Sequence, residues 1–322
     1  MSDLETLLKD YVEDSPQPII GAKTIQIVLM REVLDYAVLR TEDTRELNTV
    51  ATPLSVNKAE DTLRVAFLAT KQKAAESRQL EQSLRTATQA VNMAVPNGPK
   101  NDGCYLKDNL CMECPRCGLF GATNTDTASD KKGQIKHRIE YSTAFSLLPF
   151  EEIETATTFN GINDLTVKTD QALGTRYAVR PATIFPSIIT LKSATLREVV
   201  LVIKTLLACK SYGAETRIGG DMRNSVFGII AGWEEIITPL ELTLELYEAH
   251  TANKSLSPQI VQEILNRYQA MAGYPDKVTI FAPDQVEKMV KAAADMKLDE
   301  PFLKGAYDDV KQYRDQQDKK RK

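Results

Sequence analysis

The chain has 322 residues, of which 43% are hydrophobic and 26% charged, and this composition excludes a collagen-like, low-complexity or largely disordered protein. With 40 basic and 44 acidic residues the net charge is −4, which excludes a surface that is basic all over. The charge is uneven, because residues 64–140 hold twelve Lys and Arg against eight Asp and Glu. One basic face could therefore bind a polyanion.

No segment has the composition of a membrane span or a secretory signal. The apolar run at 199–203 is interrupted by Lys204 and is far too short to cross a bilayer. The first residues are acidic and lack a basic segment followed by an apolar one. We therefore expect a cytoplasmic protein that does not bind membranes.

The first third of the chain predicts strands followed by one long helix. Residues 19–40 are rich in Ile, Val, Leu and Thr, which predicts one long strand or two strands with a bend. Residues 63–69 predict another, buried strand. Residues 71–95 then predict an amphipathic helix that ends at a Pro- and Gly-rich breaker.

This helix carries a basic stripe. Lys71, Arg78 and Arg85 recur every seven residues, so each lies only about 20° around the helix axis from the one before. Lys73 adds a cation near the helix N-terminus, where the helix dipole disfavours positive charge, so a bound anion would explain its position. The stripe is either a polyanion-binding face or a solvated face held by i,i+4 pairs such as Glu81 with Arg85.

Four of the five cysteines lie in one short segment. In a reducing cytosol this density predicts metal ligation rather than a disulfide framework. Within the C-x-x-C pair, Pro115 tightens the turn and Gly118 is expected to supply the positive φ of a tight loop. A closed set of four thiolates leaves no open position for water, so we predict a structural Zn²⁺ with the ligands Cys104, Cys111, Cys114 and Cys117.

Three alternatives stay open for this segment. The successive C-x-x-C spacings also match the start of an iron–sulfur ligand set, although no Cys-Pro follows them. Because these spacings demand a compact loop, His137 could replace Cys104 or Cys111 as a ligand. The third alternative is four free thiols, which is disfavoured because loops seldom collect reactive thiols without a function.

The middle of the chain predicts a projecting hairpin. Residues 164–170 and 175–181 predict its two short strands, and residues 182–192 predict a strand that returns to the core. Three basic side chains of this region could contact a polyanion or could serve solubility: Lys168, Arg176 and Arg180.

A capping box formed by Thr195 and Glu198 begins the clearest helix, which is apolar along one face and closes at Gly213. Cys209, inside this helix, is expected to be a buried core thiol. Two adjacent glycines then lie between Arg217 and Arg223, where a backbone could approach a phosphate closely or turn a simple hairpin.

The chain after this turn predicts a strand at 226–233 and then three helices around a strand at 277–282, with a frayed polar tail. None of the motifs G-x-x-x-x-G-K-[ST], G-x-G-x-x-G, H-E-x-x-H or G-x-S-x-G occurs. The residues by themselves favour a mixed α/β protein that binds rather than catalyses.

The segment CPRCGLFG at 114–121 resembles the C-x-x-C-x-L-F-G segment of the RAMP superfamily of CRISPR proteins. Together with the basic helix, the hairpin region and the glycine turn ETRIGGDMRNSVF, nearly the whole chain resembles the Cas-seven-like backbone subunit of type I-D CRISPR effector complexes (Cascade). The glycine turn differs from the commoner pattern of type III relatives.

This resemblance implies an α+β fold in which residues 1–322 form one elaborated RRM-like (ferredoxin-like) domain, the palm. A zinc-binding finger region would be inserted at 97–140 and a thumb-like hairpin region at 150–186. Copies of such subunits polymerise helically along the crRNA spacer, each thumb displacing a nucleotide, and the complex holds further subunits and a target DNA or RNA strand. The guide would be held through its phosphates, because its bases must pair with the target.

The implied function is a non-catalytic crRNA-binding subunit, and neutralising the helix stripe is expected to flatten the salt dependence of crRNA binding. One alternative follows type III relatives that cut target RNA with a loop aspartate, for which Asp35, Asp43 and Asp221 are the candidates. Another is a zinc-stabilised scaffold with protein partners alone. The residues expected to bind RNA are Lys71, Lys73, Arg78, Arg85, Lys168, Arg176, Arg180, Arg217 and Arg223.

Overall fold

The chain folds as a mixed α+β protein with antiparallel sheets, as the sequence predicts at this level. The computed structural model describes residues 3–40, 46–95, 104–105, 110–124, 133–163, 165–213, 220–252 and 254–319, without the side chains of 157–163 and 168–176. The helices in this part of the chain are α1 (Asp3–Leu8), α2 (Ala69–Ala90), α3 (Pro115–Phe120), α4 (Phe150–Ile153), α5 (Leu196–Ala208), α6 (Pro239–Thr251), α7 (Pro258–Ala270), α8 (Pro283–Asp295) and α9 (Glu300–Lys319).

A five-stranded antiparallel sheet, with the order β12-β11-β1-β10-β6, forms the centre of the molecule. Strand β1 lies in its middle, with Ile27 opposite Ile189 of β10 and Ile229 of β11. The strands are β1 (Thr24–Val33), β2 (Thr49–Ser55), β3 (Lys58–Phe67), β4 (Ala122–Asn124), β5 (Gly133–Ile135), β6 (Ile139–Tyr141), β7 (Ala144–Phe145), β8 (Glu154–Asn163), β9 (Lys168–Val179), β10 (Ile184–Lys192), β11 (Met222–Gly232) and β12 (Thr279–Ile280).

Helices cover both faces of this sheet. Side chains alternate along β1, so Ile27 packs with α2 and α5 on one face, whereas Val28 packs with α6 and α7 on the other. Nearly every residue of β1 is buried as a result. The apolar run in this strand therefore reflects a sheet between two helical layers.

Four strands and two helices of the core occur in the chain order β1, α2, β6, β10, α5, β11, with other elements between some of them. In the sheet these strands lie in the order β11-β1-β10-β6, which is fourth, first, third, second in chain order. The segment between α2 and β6 contains the cysteines, and the segment between β6 and β10 contains the long β8–β9 hairpin. Both insertions thus leave the core connectivity intact.

A buried ion pair fixes α2 on the sheet. Nη1 of Arg31 in β1 lies 2.7 Å from Oε1 of Glu76 in α2, and both side chains are fully buried. The hydroxyls of Tyr212 and Tyr141 donate to the two oxygens of this carboxylate at 2.7 and 2.6 Å. These contacts set the rotation of α2 and with it the direction of its basic residues.

The β8–β9 hairpin pairs with itself, and within the described residues it joins the core only at its base. There the Ala37 and Val179 backbones exchange two hydrogen bonds, at 3.0 and 2.8 Å. At the tip, Leu165 and Val167 are 95% and 81% exposed. The hairpin therefore pairs within itself and ends in an exposed turn.

Several predicted elements are confirmed with shifted bounds. The helix predicted at 71–95 runs from Ala69 to Ala90, and the strand predicted within 19–40 is a single strand. The capping box at Thr195 is present, and Cys209 is buried at the C-cap of α5, so this helix ends before Gly213.

One predicted strand has the wrong bounds, and the long helix α9 was not predicted, nor were the short helices α1, α3 and α4. The strand predicted at 164–170 is only partly right, because residues 165–167 form the turn between β8 and β9, and β9 begins at Lys168. Helix α9 was missed because its sequence is strongly charged, although its buried positions recur at helical spacing. No helix among the described residues has the length and apolar character needed to cross a membrane.

Candidate metal centre and nucleic-acid surface

The four clustered cysteines converge on one point. Their sulfur atoms all lie within 4.8 Å of one another, and all four side chains are buried. The Sγ atom of Cys104 lies 3.5 Å from that of Cys117 and 3.8 Å from that of Cys114, and the sulfurs of Cys111 and Cys117 are 3.9 Å apart. This set could hold one metal ion.

Backbone geometry directs the sulfurs inward. Cys114 is the N-cap of α3, and its sulfur accepts a hydrogen bond from the Cys117 amide at 3.5 Å, while Pro115 occupies the first helical turn. The Cys111 amide donates to the Cys104 sulfur in the same way, at 3.5 Å. Such N–H···S bonds stabilise negative charge on sulfur before any cation arrives.

The thiols share their protons unequally. Hydrogen bonds from the other thiols, that from Cys104 first, hold the pKa of Cys117 well below its usual range, because they stabilise its thiolate. The same contacts raise the pKa of Cys114, where the bond to Cys104 again contributes most. These opposite directions at neighbouring sulfurs reflect how closely the four thiols are packed.

Gly118 differs from the expectation of a positive φ. It lies inside α3, and the positive φ values of this segment belong to Met112 and Gly121. A Cβ atom at Gly118 would lie 2.7 Å from Cγ2 of Val310 in α9. The glycine is therefore needed because the two helices approach closely.

His137 is not part of the cluster. His137 is exposed overall, and the partial desolvation of its ring, followed by the charge of Lys73, lowers the pKa of His137. Cys104, the alternative to it, is fully buried among the other three cysteines. The geometry therefore selects the four-cysteine set over a set that includes this histidine.

Of the predicted basic residues of the hairpin and the glycine turn, Arg180 and Arg223 adjoin backbone segments that lie at one end of β1. The backbone of Val33 bonds to both Ala182 and Thr183, two and three residues after Arg180, and it pairs with Met222, which precedes Arg223. Both arginine side chains are exposed. Arg223 is tied to Glu32 by an ion pair, which leaves much of its guanidinium exposed to solvent.

Helix α2 reaches the same end of the sheet. Ala75 packs in one buried cluster with Val33, Val179 and Met222, and Arg78, three residues further along the helix, is exposed. Three elements distant in sequence thus each carry an exposed arginine within three residues of a member of this cluster. We call these three residues, Arg78, Arg180 and Arg223, the arginine rim.

The other predicted cations of α2 divide between two directions. Lys71 is half-buried, and it is oriented within about 20° of Arg78 on the helix. Lys73 is half-buried on the opposite side, where burial and then the charge of Arg116 lower the pKa of Lys73. Arg85 donates to Glu81 at 2.9 Å and to the Cys104 carbonyl, so it holds the cysteine segment.

Several residues predicted to contact or cleave RNA belong to the part of the chain that the structure does not describe. Arg217, Asp43 and the side chains of Lys168 and Arg176 lie outside the described residues. The two described candidate aspartates, Asp35 and Asp221, are exposed near the arginine rim.

The family of the chain follows from its sequence as a whole. A family model described as Csc2 Crispr matches residues 8–306, which is most of the chain. The chain belongs to the Csc2 family of CRISPR proteins. The resemblance to CRISPR proteins is thereby confirmed, and no curated protein sequence matches the chain.

Solved structures share the fold of this Csc2-family chain. The crystal structure of Thermofilum pendens Csc2 is similar with a TM-score of 0.64 at 20% identity, over 96% of this chain and 95% of that one. A chain of a CRISPR RNA-guided surveillance complex has a TM-score of 0.51 at 12% identity, over 84% of this chain and 99% of its own. A chain of such a complex in a pre-nicking state gives 0.51 at 11%, over 84% and 100%.

The structure adds residues to this Csc2-family site that the sequence reasoning missed. Tyr307, Val310 and Tyr313 of α9 pack in one buried cluster with the four cysteines. These three residues lie three positions apart in the C-terminal segment, and this helical spacing is the signal that could have identified them. Arg138, whose guanidinium reaches the Gly118 carbonyl at 3.2 Å, has no comparable sequence signal.

Proposed function

We propose that this chain is a non-catalytic crRNA-binding backbone subunit of a type I-D CRISPR–Cas interference complex. The observation that carries the proposal is the arginine rim, where cations from α2, the hairpin base and the start of β11 gather in a chain of the Csc2 family. Exposed guanidinium groups bind phosphates without regard to sequence, which suits a protein that must accept any guide.

The connectivity of the core supports the RRM-like palm of this proposal. Four antiparallel strands in the order fourth, first, third, second, with two helices on one face, are the arrangement of the ferredoxin-like fold. The cysteine segment and the β8–β9 hairpin then correspond to the finger and thumb insertions, at 97–140 and 150–186.

The second helical layer gives the palm a distinctive way of binding RNA. RRM domains bind bases by stacking them on the open face of their sheet. Here α6 and α7 cover that face, so most of it is closed to bases. RNA would therefore follow the arginine rim through its phosphates, and its bases would remain free to pair with a target DNA or RNA strand.

The partners of this proposal are the crRNA, further copies of the chain in a helical filament, other subunits of the complex and the target strand. Its support is the similarity of fold to chains of CRISPR RNA-guided surveillance complexes. We place the assembly in the cytoplasm, where guide and target meet.

Zinc is the proposed metal. A tetrahedral site with Zn–S bonds of about 2.3 Å has sulfur–sulfur edges of about 3.8 Å. The separations of 3.5, 3.8 and 3.9 Å match that edge. In a four-iron cluster each cysteine binds a different iron, which spreads the sulfurs further apart, so the geometry favours one ion. The ion would cross-link Cys104, Cys111, Cys114 and Cys117 and would supply folding free energy rather than catalysis.

The RNA function is tested by co-purification and titration. We expect the purified protein to form a heavy, filament-like particle that holds short RNA of uniform length. The isolated chain should also bind single-stranded RNA at low ionic strength. If it bound no oligonucleotide and never multimerised, it would be a scaffold with protein partners alone.

Catalysis is tested on the assembled complex. Incubation with labelled complementary RNA should leave the RNA intact. Evenly spaced fragments that disappear in an Asp35→Ala or Asp221→Ala variant would instead show cleavage by a loop aspartate and overturn the non-catalytic assignment.

The zinc assignment is tested by elemental analysis. We expect one zinc per chain in the wild type, none in Cys114→Ser/Cys117→Ser, and one in the control Cys209→Ser, whose thiol lies in another cluster. We also expect the double variant to be less soluble and to assemble poorly. Folded, active protein without zinc or iron would contradict the metal centre.

A further inference from the structure

A buried hydroxyl beside the cysteines has no partner. Tyr307 of α9 is 5% exposed, and its side chain packs in the buried cluster that contains all four cysteines. Its hydroxyl makes no hydrogen bond with any residue that the structure describes. A buried polar group in this state is destabilising, and a phenylalanine would fill the same space without the cost.

The cysteine sulfurs are acceptors in the same buried cluster. Tyr307 packs in that cluster with all four cysteines, and it lines one cavity together with Cys111. A small movement of α9 or of the cysteine segment would bring the hydroxyl into contact with a sulfur atom.

The cysteine sulfurs can accept additional hydrogen bonds once a metal ion binds. In the thiol state the sulfurs satisfy one another, as the contacts of Cys117 with Cys104 and Cys111 show. A metal ion replaces the thiol protons, which pass to solvent, and leaves four thiolates that carry more negative charge than one divalent ion neutralises. Each thiolate can then accept an N–H or O–H donor.

We infer that the Tyr307 hydroxyl donates a hydrogen bond to a thiolate of the metal-loaded centre, and that Tyr307 is a positioning residue that links the docking of α9 to metal occupancy. The inference rests on the proposed metal centre. Tyr307 keeps its own proton, and no covalent bond other than the metal–sulfur bonds forms. Helix α9 already contacts α3 through Val310, so this bond would complete the contact between them.

The test uses Tyr307→Phe, which removes one oxygen atom and keeps the ring. Tyr313→Phe is the matched control, because Tyr313 is also buried in the same cluster, whereas its hydroxyl is not both buried and unpartnered. Co²⁺ is titrated into each metal-free protein in competition with a chromophoric chelator. We expect Tyr307→Phe to bind Co²⁺ about 10-fold more weakly and to shift the sulfur-to-cobalt charge-transfer band, with the control unchanged.

Thermal unfolding supplies a second readout with opposite signs. Without metal, Tyr307→Phe should unfold at the same temperature as the wild type or higher, because the orphaned hydroxyl is gone. With metal it should unfold at a lower temperature than the wild type. A purely structural role of the ring would change neither.

Two results would overturn the inference, and they are distinguishable. If wild type binds Co²⁺ and Tyr307→Phe shows the same affinity and the same band, the hydroxyl does not contact a thiolate. If wild type binds no Co²⁺, the metal centre itself is wrong and the inference falls with it, while the proposed RNA function is unaffected.

Discussion

Arg138 and Glu198 join the cysteine segment to helix α5. Their buried side chains form a bidentate ion pair, in which Nη1 of the arginine lies 2.7 Å from Oε2 of the glutamate. Glu198 also accepts from the Thr195 amide at 2.9 Å and so caps α5. Arg138 also donates to the Gly118 carbonyl of α3 at 3.2 Å. One ion pair therefore supplies hydrogen bonds to both the N-terminus of α5 and the Gly118 carbonyl of α3.

Glu198→Ala should be strongly destabilising. It leaves the Arg138 guanidinium buried without a counter-charge, which costs about 3–5 kcal/mol of unfolding free energy. The control is Lys288→Ala, which breaks the exposed i,i+4 pair with Asp284 and costs about 0.3–0.5 kcal/mol. Urea denaturation measures both. Equal losses in the two variants would show that the buried pair has no special role.

Neutralising the arginine rim should weaken RNA binding in a salt-dependent way. Each phosphate contact on a single strand adds about 0.7 to the slope of log affinity against log salt, so Arg78→Ala/Arg180→Ala/Arg223→Ala should reduce the slope by about 2. Fluorescence titration across a salt series gives the slope. The control variant loses the same number of positive charges, because alanine replaces three exposed lysines of the C-terminal part: Lys288, Lys291 and Lys297. An unchanged slope would remove the rim from the interface.

Arg78 and Arg85, seven residues apart on α2, should have separate effects. Arg85→Ala removes the donor to Glu81 and to the Cys104 carbonyl, so it should lower metal affinity and cost about 1.5–3 kcal/mol of stability. Arg78→Ala should lower RNA affinity and leave metal binding unchanged, because its side chain is exposed. Chelator competition and RNA titration on both variants check this. If Arg85→Ala instead lowered RNA affinity as Arg78→Ala does and left metal binding unchanged, the stripe would act as one RNA-binding face.

Gly118→Ala should destabilise the contact between α3 and α9. The added methyl group would overlap Cγ2 of Val310, a β-branched side chain that cannot rotate away freely, at a cost of about 1–3 kcal/mol. Val310→Ala removes the obstacle, so the double variant should be more stable than the sum of the single losses predicts. Thermal unfolding of the four proteins closes this cycle, and strict additivity would argue against the overlap.

Local signals explain why much of the fold was predictable from the sequence. The capping box at Thr195 and the apolar composition of β1 depend on neighbours in the chain, and both predictions are confirmed. The four cysteines were predictable as a set for the same reason. Their convergence with Tyr307 was not, because that contact spans about two-thirds of the chain.

Long-range contacts also decide what each cation of α2 does. Periodicity places Arg78 and Arg85 on one stripe, yet only the folded chain shows that Arg85 meets the Cys104 carbonyl. Likewise, no pattern in the sequence indicates that Arg180 and Arg223 share one end of β1. Such pairs arise from sheet pairing, which short windows of sequence do not encode.

The self-paired β8–β9 hairpin has a consequence for how such chains can diverge. Because its strands pair with each other and its base joins the described body, where Ala37 pairs with Val179 and Val179 is buried, its length can change while the packing of the body stays the same. Adding one residue to each arm moves the tip outward by about 3.3 Å and turns it over, whereas two residues per arm restore its orientation. Insertions in steps of two per arm would thus extend its reach, and odd steps would present the opposite side to whatever lies beyond.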